Sequence, residues 1–204
     1  MTRATFASEA LLLVRELFSS GVAGLAVVAC FACISCSGPS PEASKACDRT
    51  CQDRTALRAV RETMKLAYNI TVQGKPEGAV DMAVPCLQGG KVRVSGRGAS
   101  NAQLGTTDVE LAYEFEACGY LQKDTEPPEN YAMTITGKVT QLGTLSSAAG
   151  STTALAIKSD KLVLTGTVYD PPIAFDEQSC ALDVMQNGGR LDGTFCGRPT
   201  GFAF

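Results

Sequence analysis

The decapeptide DVELAYEFEA, residues 108–117, sets Val109, Leu111, Tyr113, Phe115 and Ala117 against Asp108, Glu110, Glu114 and Glu116 with a period of two. That is the period of an extended chain whose side chains alternate between two faces; an amphipathic helix repeats every three or four residues instead. The pattern returns elsewhere. In GKVRVSGRG, Val92 and Val94 oppose Lys91, Arg93 and Ser95; in YAMTITGKV, Tyr131, Met133, Ile135 and Val139 oppose Thr134, Thr136 and Lys138. Leu162, Leu164 and Val168 share one side of KLVLTGTVY. One apolar and one polar face per strand predicts an antiparallel sheet with a wet side, not a parallel α/β core. The segments QGG, PPEN, DPP and NGG supply turn chemistry between the runs.

One stretch keeps a helical period. In SKACDRTCQDRTALRAVRETMKLA, Leu57, Val60, Met64 and Ala67 recur at three- and four-residue steps, and Ser44 offers a cap. Lys45, Arg49, Arg54, Arg58, Arg61 and Lys65 cover the other sides beside Asp48, Asp53 and Glu62, which reads as a solvated helix surface. The expected fold is therefore mainly β: an antiparallel sandwich or partial barrel of about eight strands with one N-terminal helix.

Upstream, residues 17–41 contain no charged side chain, and their apolar centre GVAGLAVVACFACI ends in the polar, turn-prone SGPSP. Cys30, Cys33 and Cys36 are spaced like the start of an iron–sulfur motif, but Ser37, Gly38, Pro39 and Ser40 occupy the place of its fourth ligand. A basic residue, an apolar run and small residues at its end are instead the layout of a secretory signal. Val27-Val28-Ala29-Cys30 resembles the lipobox of bacterial lipoproteins, in which signal peptidase II cuts before a cysteine that is acylated. Cys36 is the other candidate, because the polar tether SGPSPEAS follows it directly. The resemblance implies a signal and lipobox over 1–36, a tether over 37–44 and one domain over 45–204. It also implies a lipid anchor in a bacterial cell envelope, on the periplasmic or surface side of the outer membrane. The remainder is similar to the small disulfide-bonded β lipoproteins of such envelopes, a class with diverse functions.

Six cysteines lie beyond Cys36: Cys47, Cys51, Cys86, Cys118, Cys180 and Cys196. An even count in an exported chain predicts disulfides. Cys180 and Cys196 lie symmetrically about Gly188; a three-residue loop over Asn187-Gly188-Gly189 sets them directly opposite. Cys86 and Cys118 lie near the open ends of the hairpin formed by 90–97 and 107–117. Two arrangements satisfy the other four cysteines. Either Cys86 pairs with Cys118 and Cys47 with Cys51, which requires a helix starting after Cys51, or the first two staple the helix to the second two.

The chain has no histidine, which removes Ser-His-Asp and Cys-His catalysis and His-ligated zinc. Its 204 residues carry 18 basic and 21 acidic side chains, a net charge of −3, and residues 1–36 contribute Arg3, Arg15, Glu9 and Glu16, which cancel. That is no footprint for nucleic acid. The acidic group Asp108, Glu110, Glu114, Glu116, Asp124, Glu126 and Glu129 runs along one strand and its exit opposite Lys91, Arg93 and Arg97. It reads as cross-strand surface pairing, not calcium ligation. No cofactor, metal or catalytic residue is expected.

The function that follows is a non-enzymatic scaffolding or binding protein, with an apolar ligand in its sheet or an envelope protein as partner. Two alternatives come from other classes. One is a carboxylate hydrolase using a pair among Glu114, Glu116, Asp124 and Glu126. The other is an outer-membrane barrel, suggested by Phe202 and Phe204 in the terminal GFAF.

Overall fold

The structure is a computed structural model that describes residues 47–123, 129–147 and 152–203. Helix α1 spans Arg49–Thr71. It starts later than a cap at Ser44 would place it, because Asp48 holds an extended conformation and its carboxylate accepts the Cys51 amide N–H at 2.9 Å. That bond satisfies one of the orphan donors of the first turn. Leu57, Val60, Met64 and Ala67 are buried along one side, as their spacing predicts. Thr55, Thr63 and Thr71 are buried among them, each hydroxyl donating to the carbonyl four residues back. Burying Leu57, Val60 and Met64 contributes about 1.5–3 kcal/mol apiece, enough to hold the helix against the sheet.

Eight strands follow: β1 Gly78–Pro85, β2 Lys91–Asn101, β3 Thr106–Gln122, β4 Tyr131–Ser146, β5 Ala154–Val168, β6 Ile173–Asn187, β7 Arg190–Phe195 and β8 Arg198–Ala203. Each pairs antiparallel with the next, in the order β1 to β8, within one sheet. The sheet does not close, so the architecture is a single curled meander and not a two-sheet sandwich. Helix α1 touches β1 to β5 and also β8, so the sheet wraps round it from one edge to the other.

Long antiparallel strands curl this tightly only where the ladder is bent on purpose. Gly96 and Gly166 show one device. Both take inward positions, opposite Leu111 and Met133, with φ of 128° and 149°. A Cβ built there would lie 2.0 Å from the carbonyl oxygens of Glu110 and Ala132. Bulges are the second device. The expected inward set of β3 holds from Val109 to Phe115 and then fails at Ala117, which has φ 47° and is exposed. The register slips between Phe115 and Cys118, so the phase inverts and Cys118 enters the core in place of Ala117.

The inner face of the sheet and the helix share one core that includes Tyr113, Ile135, Leu164, Phe175 and Phe195. Tyr113 Oη donates to Gln141 Oε1 at 2.6 Å, and Tyr131 Oη donates to Gln122 Oε1 at 2.7 Å. Burial raises the pKa of both phenols well above the usual tyrosine range. A neutral form favoured in the folded state contributes stability that is complete below the unfolded pKa and is lost as pH rises above it. Unfolding free energy should therefore fall above about pH 10, by about 1.4 kcal/mol per pH unit for each tyrosine. Urea unfolding of Tyr113→Phe across that range should show a shallower decline than the parent chain.

Candidate functional site

Of the basic residues expected on the solvated helix surface, Lys65 and Arg49 are exposed and Lys45 lies outside the described residues, but Arg54, Arg58 and Arg61 are partly buried in ion pairs. Arg54 Nη2 lies 2.6 Å from Glu129 Oε1, and Arg58 Nη1 lies 2.5 Å from Glu129 Oε2. Glu129, just ahead of β4, is 2 % exposed and so does not belong to the acidic surface group in which its sequence position placed it. One turn toward the helix start, Arg198 from β8 grips buried Asp53 with two hydrogen bonds of 2.6 and 2.9 Å. Arg49 reaches Asp53 at 3.1 Å and also pairs with Glu177 of β6, to which Arg198 donates at 2.8 Å. Arg49 lies over the Phe175 ring and Arg58 over the Phe202 ring, at 4.9 and 5.7 Å. The hydrogen bond to Asp53 pushes the Arg198 guanidinium well above its usual range, while burial pulls Arg61 down against the opposing influence of Glu62.

Chemically, this is a clasp. Asp53, Glu129 and Glu177 are each held by at least one guanidinium, so none is poised as a general acid or base. The sheet curls until β6, β8 and the approach to β4 meet one helix, and the arginines lie where the apolar stripe ends. Nothing in the local sequence signals these partners.

Glu114 and Glu116, the proposed hydrolase carboxylates, face outward from β3 opposite Arg93 and Lys91. Lys91 pairs with Glu116 at 3.1 Å, Arg97 with Glu110 at 3.0 Å, and Lys138 of β4 with Glu114 at 3.6 Å. Arg93 reaches past its own register to Asp81 of β1 at 2.6 Å and depresses the Asp81 pKa, mainly through that hydrogen bond. Exposed to solvent and screened by salt, these pairs contribute little to stability. Their value lies in keeping the wet face soluble and in register. Among the described residues, no group of three or more His, Cys, Asp or Glu is placed to hold a metal ion. Asp124 and Glu126 lie outside the described residues, as do Phe204 and the candidate acylation sites Cys30 and Cys36. Phe202 is buried and faces the helix. The inner face is apolar and the outer face charged, whereas a lipid-facing barrel requires the reverse.

Three disulfides join Cys47 to Cys51, Cys86 to Cys118 and Cys180 to Cys196. The first forms although the helix begins before Cys51. Cys47 precedes the Asp48 cap and is free of helical geometry, so its Cα comes within 5.2 Å of that of Cys51. The third forms without the expected three-residue loop. Asn187 pairs directly with Arg190, which leaves a two-residue turn of Gly188 and Gly189 and sets Cys196 against Ala181, not Cys180. Cys196 reaches the bridge because it stands just past the end of β7 with φ 49°, where the chain turns and redirects its side chain. Three bridges in one small domain belong to a non-reducing, extracellular-type environment. Among the described residues, no helix is long and apolar enough to cross a membrane.

An apolar ligand in the sheet would need a cavity against the inner side chains. The gap bordering that face, between Leu66 and Ile70 of α1 and Val84, Leu87 and Tyr120, holds about 10 Å³, no more than one water. Larger open spaces lie at the C-terminal end of α1, where about 440 Å³ separates Tyr68, Asn69 and Gln73 from the β2–β4 end of the sheet, and on the outer face. A shallow groove of about 610 Å³ crosses β1 to β4 over Ala79, Ala112, Lys138 and Leu142, and a second of about 410 Å³ extends it toward Asp108 and Thr144. Arg97, Glu110 and Leu142 line both grooves. Register carries the same row onward from Leu142 through Ala156 to Met185, where Asp192 of β7 follows. Leu142 is 59 % exposed and Met185 45 % exposed, so this is an apolar row bounded by ion pairs on an otherwise polar face. Alternation alone misses it. Its one signal is Leu142 in phase with Thr140 and Thr144, on the side that should be wet.

The described residues thus form a disulfide-bonded, one-helix antiparallel meander with a shared apolar core and a grooved outer face. No protein-family model matches the chain, and no curated protein or solved structure matches it.

Proposed function

We propose that this chain is an exported, lipid-anchored envelope protein of non-enzymatic type that works as a scaffold, presenting the outer face of its sheet to an envelope partner. The carrying observation is the apolar row on the outer face, where Leu142 and Met185 are 59 % and 45 % exposed and Leu142 lines grooves of about 610 and 410 Å³, which favours contact with a partner surface. The arginine-held carboxylates argue in the same direction, because a hydrolase needs two carboxyl groups in unlike environments. The apolar run before Cys30 and Cys36 and the three bridges support export.

Intact-mass spectrometry of the full chain, expressed in a bacterium with lipoprotein processing, tests the reading with and without reduction before alkylation. An N-terminus at Cys30 or Cys36 bearing acyl chains is expected, with the six later cysteines alkylated only after reduction. An unprocessed chain whose cysteines alkylate freely would overturn it.

A further inference from the structure

The outer edge of β1 is built for one more strand. Among the described residues, none pairs with that edge, and the sheet ends there. Val80, Met82 and Val84 point to the inner side, where the register partner of Met82 is fully buried Val94. Met82 itself is 43 % exposed, although it faces the side that holds the buried core. Ile70 and Leu87, at 46 % and 63 % exposure, flank the same edge beside Val84 and Pro85. An open edge carrying inward apolar side chains is a template for strand addition.

We propose that this edge pairs with the β1 edge of a second copy of the chain, antiparallel, about a two-fold axis through Met82. The sequence of β1 is self-complementary in that register. Met82 meets the second copy's Met82, and Val80 meets its Val84, so the inner row continues across the axis as an apolar seam. On the outer side Asp81 meets Ala83, so the two aspartates do not oppose each other. Charge complementarity then extends the match. Arg93 is the β2 partner of Ala83, so one outer row reads Arg93, Ala83, then the second copy's Asp81. Arg93 donates to its own Asp81 through Nε and Nη2, which leaves Nη1 free to reach over the small Ala83 side chain. The two-fold makes this contact twice. Pro85, which has no N–H, stands at the end of the pairing, where a missing donor costs least. A closed, isologous pair of this kind removes the open β1 edge from both copies.

Sedimentation velocity of the chain, density-matched in mild detergent over about 1–100 µM, should show a species of twice the monomer mass found by mass spectrometry of the same preparation, dissociating on dilution. Met82→Lys should weaken the dimer at least about tenfold with unchanged circular dichroism, and with an unchanged melting temperature at dilutions where the parent is monomeric, since the site is at an edge. Met82→Cys should cross-link to itself on mild oxidation. Ala83→Cys should not, but should cross-link to Asp81→Cys when the two variants are mixed. A monomer throughout the range overturns the proposal, as does a dimer indifferent to Met82→Lys or one that fails the cross-linking pattern. A monomer that instead takes up an extended apolar peptide at this edge overturns the second copy as its occupant.

Discussion

Replacing Glu129 with glutamine is expected to lower the unfolding free energy by about 2–4 kcal/mol, somewhat less than the roughly 3–5 kcal/mol of breaking a fully buried ion pair. Glutamine keeps the size of the side chain and removes only its charge. Arg54 and Arg58 are then left facing each other, one turn apart, with no anion between them. The discount arises because the Arg54 side chain is 38 % exposed and keeps part of its hydration. The clasp is also incompletely satisfied, since Arg54 Nε has no hydrogen-bond partner. Replacing all three residues together, as Arg54→Met, Arg58→Met and Glu129→Leu, should therefore recover most of the loss, because an apolar contact of similar volume carries no desolvation cost. Urea unfolding of the single and triple variants measures both effects. A Glu129→Gln variant as stable as the parent would show that solvent, not Glu129, balances the two arginines.

Removing the Cys86–Cys118 bridge by paired alanine substitution is expected to cost about 3.7 kcal/mol by the chain-entropy relation, because it closes the longest loop, of 32 residues. The same relation gives about 3.1 kcal/mol for Cys180–Cys196 and about 1.9 kcal/mol for Cys47–Cys51, with separations of 16 and 4 residues. The first two should also leave cavities, since Cys118 and Cys180 are fully buried in the sheet core. The expected order of melting temperatures is thus parent, then the Cys47–Cys51 variant, then the other two. A Cys47–Cys51 variant that melts lowest of the three would contradict the loop-length argument and assign that bridge a role in nucleating the helix.

Much of this was legible residue by residue. Val109, Leu111, Tyr113 and Phe115 lie on the inner face where alternation places them, and so do Val92, Val94, Met133, Ile135, Leu162 and Leu164. Leu57, Val60, Met64 and Ala67 form the buried side of the helix. These positions follow from the geometry of one strand or one helix and need no knowledge of what lies opposite. The misreadings share a different origin. Ala117 was misplaced because a bulge inserts one residue and inverts the phase, and the sequence carries no mark of it. The expected loop at Asn187-Gly188-Gly189 rested on symmetry, whereas Cys196 reaches its partner by turning the chain. Leu142 and Met185 lie on the polar side of separate strands, and only register aligns them into one row.

Charge placement shows the limit most clearly. The cross-strand pairs Lys91–Glu116 and Arg97–Glu110 could be anticipated because adjacent strands bring near neighbours in sequence opposite each other. The Arg198–Asp53 pair spans 145 residues and depends on the curl of seven strand pairings. By itself, then, the sequence determined the period of each element, its apolar side and the class of the fold, since these are decided by side chains within a few residues of one another. Only the tertiary structure decided which charges are buried, which face holds open space and which edge is left bare. Those outcomes depend on the accumulated bend of the sheet, which single bulges and inward glycines set and no local pattern records.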